Sequence, residues 1–336
     1  TRGSAALLSV LILIFVGVGI LFFKIETSPV SKPADNDAIE VNVSLTPEFE
    51  MLYRFDPVIW ESGIAWWKKF QTNDEDISKI KNDSRIKYLS LYREKGVSEK
   101  GLYEAAALPI KGLGLGKTSL TGNKLKKITE INPHLEALYL QDNKKLRDDD
   151  LKNLLRLKNI KFLALTDNKF TDKGMETISQ LKSLKVLKID SNPRISKNGI
   201  NALRELPDLK GLVISGIKLD SAGWFEISRM KTLTLLSAAD TGMSDIDLKT
   251  IADLKLEMLD LTSNPLTAKA FPILKGMKTL KILRIEPQEG IAVKDLRDFL
   301  KVRPDCKIIK ARTHYAQPDT VLMEDKTLLS EPSNQK

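Results

Sequence analysis

The residue types that carry out chemistry are thinly spread along this chain. Histidine occurs twice, as His134 and His314, far apart in sequence. That leaves no pair at the spacing of a familiar zinc site or of a base–nucleophile triad. Cysteine occurs once, as Cys306, so neither an intrachain disulfide nor a cysteine-based metal site can form. Gly112-Leu-Gly-Leu-Gly-Lys-Thr118 approaches a phosphate-binding loop, but the pattern needs its first glycine where Lys111 stands, and the stretch falls on a strand phrase. Carboxylates are many, 44 Asp plus Glu, yet each sits at a turn or on a helix face, and no pair is set apart for acid–base work. These residues predict no enzyme, no metal and no cofactor; what remains is the chemistry of surfaces. Asn42-Val-Ser44 and Asn82-Asp-Ser84 match the glycosylation sequon, which counts only where the source has that machinery.

The elements that would present such a surface are repeats. From Ile86 to Lys310 one apolar phrase recurs in nine units, starting at Ile86, Ile110, Leu135, Ile160, Leu184, Leu209, Leu233, Leu256 and Leu280. A fixed period of this size is the signature of a solenoid, whose units pack only on their neighbours. The fourth place is Leu in all nine units, from Leu89 to Leu283, and the sixth is apolar throughout, with Ala238 the smallest. Alternation along a short strand points both places inward. The ninth place holds Asn143, Asn168, Asn192 and Asn264, whose amides can bond the turn leaving the strand. Thr118 and Thr241 can do part of this; Ile217 cannot, so its turn must be satisfied differently. Runs such as Asp172-Lys-Gly-Met-Glu-Thr-Ile-Ser-Gln-Leu follow with a polar start and helical apolar spacing. Cys306-Lys-Ile-Ile reads as a closing edge strand with Cys306 as a small buried hydrophobe.

LEALYLQDN at Leu135–Asn143 and LEMLDLTSN at Leu256–Asn264 match the phrase LxxLxLxxN, and IKFLALTDN at Ile160–Asn168 fits with Ile first. The chain thus resembles the leucine-rich repeat family over about two thirds of its length. The resemblance implies an α/β horseshoe, with a parallel sheet on the concave face and helices on the convex face, that binds other macromolecules, usually proteins; it does not imply a catalytic reaction. It departs from the pattern at Ile110–His134, where Gly112, Gly114 and Gly116 replace strand side chains, and at Ile217.

Ala5 to Phe23 contains no charge and is bracketed by Arg2 and Lys24. Nineteen residues of helix rise about 28 Å, close to the hydrocarbon thickness, which predicts a retained single-pass anchor over residues 1–24 rather than a cleaved signal peptide. The positive-inside count barely discriminates, and a large domain after such an anchor is expected to be translocated. That places it at a bacterial inner membrane facing the periplasm or, alternatively, at the mitochondrial inner membrane. Residues 25–46 read as an extended linker. Residues 47–85 read as a helical cap, with Asp56 as N-cap, Pro57 at the first helical position and Trp60, Trp66 and Trp67 on an apolar helix. This cap either covers the first repeat or lies in the membrane interface. A second short helix is expected over Asp74–Lys81, and residues 311–336 read as a tail.

Charge excludes little: 53 Lys plus Arg against 44 Asp plus Glu give +9, with both signs interleaved. The repeat register names the concave face. Second places hold Lys87, Lys111, Lys161, Lys185, Lys210 and Lys281, and eighth places include Asp142, Asp167 and Asp240. A Lys rim, an Asp rim and an apolar stripe between them are expected, with Phe162, Leu235, Met258 and Ile282 standing open. The candidate partner-binding residues are Tyr88, Tyr139, Phe162, Val186, Lys188, Leu235, Met258, Asp260, Ile282 and Arg284, with Trp60, Trp66 and Trp67 as a second partner or membrane contact. The expected function is a non-enzymatic, membrane-anchored scaffold holding a protein of a larger membrane or envelope complex, with lipid contact through Ala5–Phe23. Nucleic acid and small-molecule substrates are not expected. The alternative is an anchored sensor for a soluble ligand or surface polymer.

Overall fold

The structure is a computed structural model that describes residues 10–16, 19–25, 73–81, 88–93 and 96–309. The linker, the Trp-bearing part of the cap (Trp60, Trp66 and Trp67 included) and the tail lie outside the described residues.

Val10–Val16 (β1) and Gly19–Ile25 (β2) form an antiparallel pair. Within these residues an extended pair stands where a membrane-spanning helix over Ala5–Phe23 is expected; the rest of that run lies outside the described residues. The run is rich in Val, Ile and Phe, which favour an extended backbone, and Gly17 and Gly19 lower the helix propensity between its halves. Among the described residues no helix is long and apolar enough to cross a membrane.

The repeat region opens with α1 (Asp74–Lys79), capped by Asn73 and Asp76 in a reciprocal capping box. Ten three-residue strands follow: β3 (Tyr88–Ser90), β4 (Gly112–Gly114), β5 (Ala137–Tyr139), β6 (Phe162–Ala164), β7 (Val186–Lys188), β8 (Gly211–Val213), β9 (Leu235–Ser237), β10 (Met258–Asp260), β11 (Ile282–Arg284) and β12 (Lys307–Ile309). They make one parallel sheet in strict sequence order. Helices intervene: α2 (Glu99–Ala106), α3 (Gly122–Ile131), a 3₁₀ helix (Asp148–Arg156), α4 (Asp172–Ile178), α5 (Lys197–Leu203), α6 (Ser221–Ser228), α7 (Asp245–Thr250), α8 (Ala270–Gly276) and α9 (Val293–Val302). The fourth- and sixth-place side chains, with helix residues such as Leu125, Ile128 and Trp224, form one continuous core. Ala238, the smallest inward residue, is fully buried there, and so is Ile217. Cys306 packs at the closing edge, and burial pushes its thiol up to about 12.

Two polar ladders stitch unit to unit. The Asn168 amide donates to the carbonyls of Leu140 (3.0 Å) and Leu165 (2.8 Å), while its Oδ1 accepts from the Asn143 N–H (2.8 Å). Asn143, Asn192 and Asn264 repeat this arrangement. The Thr241 hydroxyl donates to the Ala238 carbonyl at 2.9 Å, and that of Thr118 to Leu115 at 2.7 Å, the same three-back bond that Asn makes. At Ile217 the backbone N–H itself donates to the Ile214 carbonyl, 2.9 Å. The second ladder was not legible beforehand. Asp148 accepts from the Thr171 N–H (2.9 Å) and hydroxyl (2.7 Å), and Asp172 does the same with Ser196 at 2.7 and 2.6 Å. Asp74 with Ser98 and Asp245 with Thr267 follow suit. Gly174 and Gly199 make room for these carboxylates: a Cβ at either would stand 2.6 Å from the aspartate Oδ1.

Candidate binding surface

Third- and fifth-place side chains turn away from the helices and form two rows in register. The third-place row runs Tyr88, Gly112, Ala137, Phe162, Val186, Gly211, Leu235, Met258, Ile282; the fifth runs Ser90, Gly114, Tyr139, Ala164, Lys188, Val213, Ser237, Asp260, Arg284. Rigid three-residue strands about 4.8 Å apart fix their spacing. The structure therefore brings the ten predicted solenoid residues onto one face, as the register requires.

It does not leave that face open. Phe162 and Val186 are 0% exposed and Leu235 is 3% exposed. Tyr139 and Ile282 are also buried, while Met258, Lys188, Tyr88 and Arg284 are half-buried. The expectation of Phe162, Leu235 and Ile282 standing bare is thus corrected: all three are buried. Ala137, Tyr139, Phe162, Ala164 and Val186 form a second hydrophobic cluster, separate from the main core, with Tyr88 and Tyr92 packed against it. Tyr92 was missed by sequence reasoning because it lies outside the two rows. The signal was available in Gly116: a Cβ there would meet the Tyr92 ring at 2.5 Å and the Tyr139 ring at 3.2 Å. The Gly-rich second unit is therefore a place where neighbouring aromatic rings come close, not a defect in the repeat.

Toward the C-terminal end the face is polar. Asp260, 3% exposed, pairs with Arg284 at 3.1 Å and accepts from the Thr262 hydroxyl at 2.6 Å and from Ser237 at 3.3 Å. Ser237 in turn lies 3.0 Å from Ser215. Asp260 and Arg284, picked separately from sequence, are one cross-strand ion pair, so a partner meets a neutralised pair there rather than two free charges.

The rims have different origins. On the Lys side, Glu136 bonds Lys161 at 2.6 Å and Lys111 at 3.1 Å, and Lys281 meets Glu257 at 3.0 Å. The Lys161 and Lys111 ammonium groups hold the Glu136 carboxyl below the usual range, and Glu136 raises Lys111. The Asp rim is set by the backbone. Eighth-place residues Lys117, Asp142, Asp167, Ser191, Asp240 and Ser263 all have φ between 52 and 57°, and Gly216 has φ 75°. Asp and Gly tolerate the left-handed region better than most residues, so turn geometry favours them in this column. Its carboxylates pair locally, Asp167 with Lys144 and Asp240 with Lys218.

Away from the sheet, Phe225 on α6, Ile246 on α7 and Val293 and Val302 at the two ends of α9 are exposed apolar residues, with the Arg229 guanidinium 5.7 Å from the Phe225 ring centroid. Among the described residues no group of three or more His, Cys, Asp or Glu could hold a metal ion.

Two consecutive stretches, residues 132–155 and 156–179, match the family model described as leucine-rich repeat. Comparison with curated proteins gives no match. Among solved structures, the chain is similar to the crystal structure of an internalin (InlF) from Listeria monocytogenes, at 18% identity over 71% of this chain and 71% of that chain, with a TM-score of 0.46. The matched stretches contain LEALYLQDN and IKFLALTDN, the units around β5 and β6, and the other strands repeat their register.

Proposed function

We propose that this chain is a non-enzymatic, membrane-associated scaffold whose repeat sheet binds another protein, a subunit of a larger membrane or envelope assembly. One observation carries the reading: ten parallel strands hold two register-matched rows of varied side chains on a rigid frame. Leucine-rich repeat domains generally use such a face for protein–protein interaction, where apolar residues rimmed by polar ones supply area and orientation. The half-buried Lys188, Ser237, Met258 and Arg284 are the positions a partner reaches first. The uncharged run from Ala5 to Phe23 supports association with a lipid bilayer, with the repeat region on the translocated side of a bacterial inner membrane or, in the second placement, of the mitochondrial inner membrane.

The test is gentle detergent extraction of the full chain carrying a photo-crosslinking residue at Met258. A discrete adduct with one membrane-complex protein, lost on Ser237→Arg, is the expected outcome. A chain recovered only as a free, unadducted monomer would refute the scaffold reading. Recovery in the soluble fraction after membrane washing would refute the lipid association separately.

A further inference from the structure

Among the described residues, three buried side-chain nitrogens have no hydrogen-bond partner: Trp224 Nε1, Arg284 Nε and Lys307 Nζ. Trp224 lies in the main core. The other two are neighbours on the sheet face. Lys307 on β12 stands in register with Ile282 on β11, two residues before Arg284 and on the same face. Adjacent strands lie about 4.8 Å apart and rise about 3.3 Å per residue, so the two Cα atoms are about 8 Å apart. Both long side chains can reach one point from there.

Guanidinium and ammonium groups donate and cannot accept. Only an acceptor completes them, and an anion does so best. Buried donors without one are costly and rare. The nearby acids do not supply it. Asp260 takes the Nη1 end of Arg284 at 3.1 Å and also accepts from the Thr262 N–H (3.1 Å), the Thr262 hydroxyl (2.6 Å) and the Ser237 hydroxyl (3.3 Å). The guanidinium edge that carries Nε is left over. Glu286, two residues past Arg284, bonds neither Arg284 Nε nor Lys307 Nζ. Asp305, two residues before Lys307, pairs with Arg303 at 2.8 Å. Set against Asp260, Arg284 and Lys307 carry one positive charge in excess, which a monoanion balances. A phosphate dianion would bring a second negative charge in beside Asp260. The third-place row leading to Lys307 is Met258 and Ile282, apolar ground for the residues flanking an acid.

We propose that Arg284 and Lys307 form the receptor for one carboxylate, that of an Asp or Glu side chain on the protein partner. The inference rests on the scaffold reading and gives the partner a chemistry at one point of the face. Lys307 joins the binding residues by this argument; in the sequence its strand shows only as the closing edge.

Calorimetric titration of the full chain with the peptide acetyl-Leu-Gly-Glu-Gly-Leu-amide and with its Gln twin tests the charge directly. The Glu peptide is expected to bind about ten-fold or more tightly than the Gln peptide, the ratio that one charge-assisted hydrogen bond supplies. Lys307→Met should abolish that preference and Lys307→Arg should keep it. Because Lys307→Met removes an unpartnered buried ammonium, its melting temperature should not fall. Equal binding of the two peptides, binding of neither, a preference that survives Lys307→Met, or tighter binding of inorganic phosphate overturns the proposal. So does a lower melting temperature in Lys307→Met, which would mean that the ammonium already has its partner within the chain. A Met258 adduct without the Glu preference defeats the carboxylate site and leaves the scaffold reading standing; the Glu preference without an adduct does the reverse.

Discussion

Replacing Asn264 by Ala should cost more than replacing Asn168, and the difference can be worked from the ladder. Asn168 is backed up at most of its bonds. Without it, the Leu140 carbonyl keeps the Asn143 amide (3.2 Å), the Leu165 carbonyl keeps the Asn192 amide (2.9 Å) and the Thr166 carbonyl keeps the Asp142 N–H (3.0 Å). Only the Asn143 N–H, 2.8 Å from Asn168 Oδ1, loses its acceptor. Asn264 serves two backbone donors, the N–H groups of Thr241 (3.0 Å) and Met243 (2.9 Å). Orphaning one buried donor costs about 1–3 kcal/mol, so Asn168→Ala is expected near 2 and Asn264→Ala near 4 kcal/mol on that scale. Urea unfolding of the full chain reads this directly: with m about 3 kcal/mol/M, the two midpoints separate by about 0.7 M. Solenoids can lose two-state behaviour, so amide exchange at Leu236 and Leu259 gives a local second readout. Equal midpoints, or a larger loss at Asn168, would refute the accounting of donors and acceptors.

Further predictions concern other joints. Gly199→Ala drives a Cβ to 2.6 Å from Asp172 Oδ1; it should destabilise by about 1–3 kcal/mol, as overpacking does, and Asp172→Ala should recover part of that in a thermal melt. Cys306, its thiol pushed up to about 12, should resist thiol reagents in the native chain and label quickly in urea. Its folded value lies above the unfolded one, so its contribution to stability is complete below the unfolded cysteine pKa of about 8.5 and is lost as pH rises toward the folded value. Glu136 has the opposite sign: held low by Lys161 and Lys111, it contributes above the ordinary glutamate pKa and loses that contribution as pH falls through the folded value. Glu136→Gln should flatten the acid limb of the stability profile in low salt and change little in high salt.

Much of the fold was legible because repetition averages away local ambiguity. A single LxxLxL phrase is weak, but nine in step fix strand, register and inward face together, and the closing Lys307–Ile309 strand follows from the same step. The aspartate ladder was not legible, since Asp148 and Asp172 read singly as ordinary first-turn acids; only the pairing of successive units reveals their second role. The eighth-place Asp column carries both a charged rim and a left-handed turn, and residue type alone does not separate a demand for charge from a demand for left-handed φ. Alternation puts the third and fifth places on one face of the sheet, whereas the burial of that face is not encoded in periodicity. The apolar stretch at Ala5–Phe23 shows the same limit: hydropathy and length match a spanning helix, while Val, Ile and Phe serve an extended pair equally well.

The interruption at Ile217 has a mechanical consequence. Asparagine rungs run through Asn143, Asn168 and Asn192, lapse at Ile217, and resume through Thr241 and Asn264. Across the lapse the backbone ladder continues, with the Ser191 N–H donating to Ser215 and the Gly216 N–H to Ala239, both at 2.9 Å, but no side-chain amide reaches back from the Ile217 turn to the unit before it. Stretched from its two ends, the solenoid has one fewer side-chain tie at that seam, which is where the first rupture under load is expected.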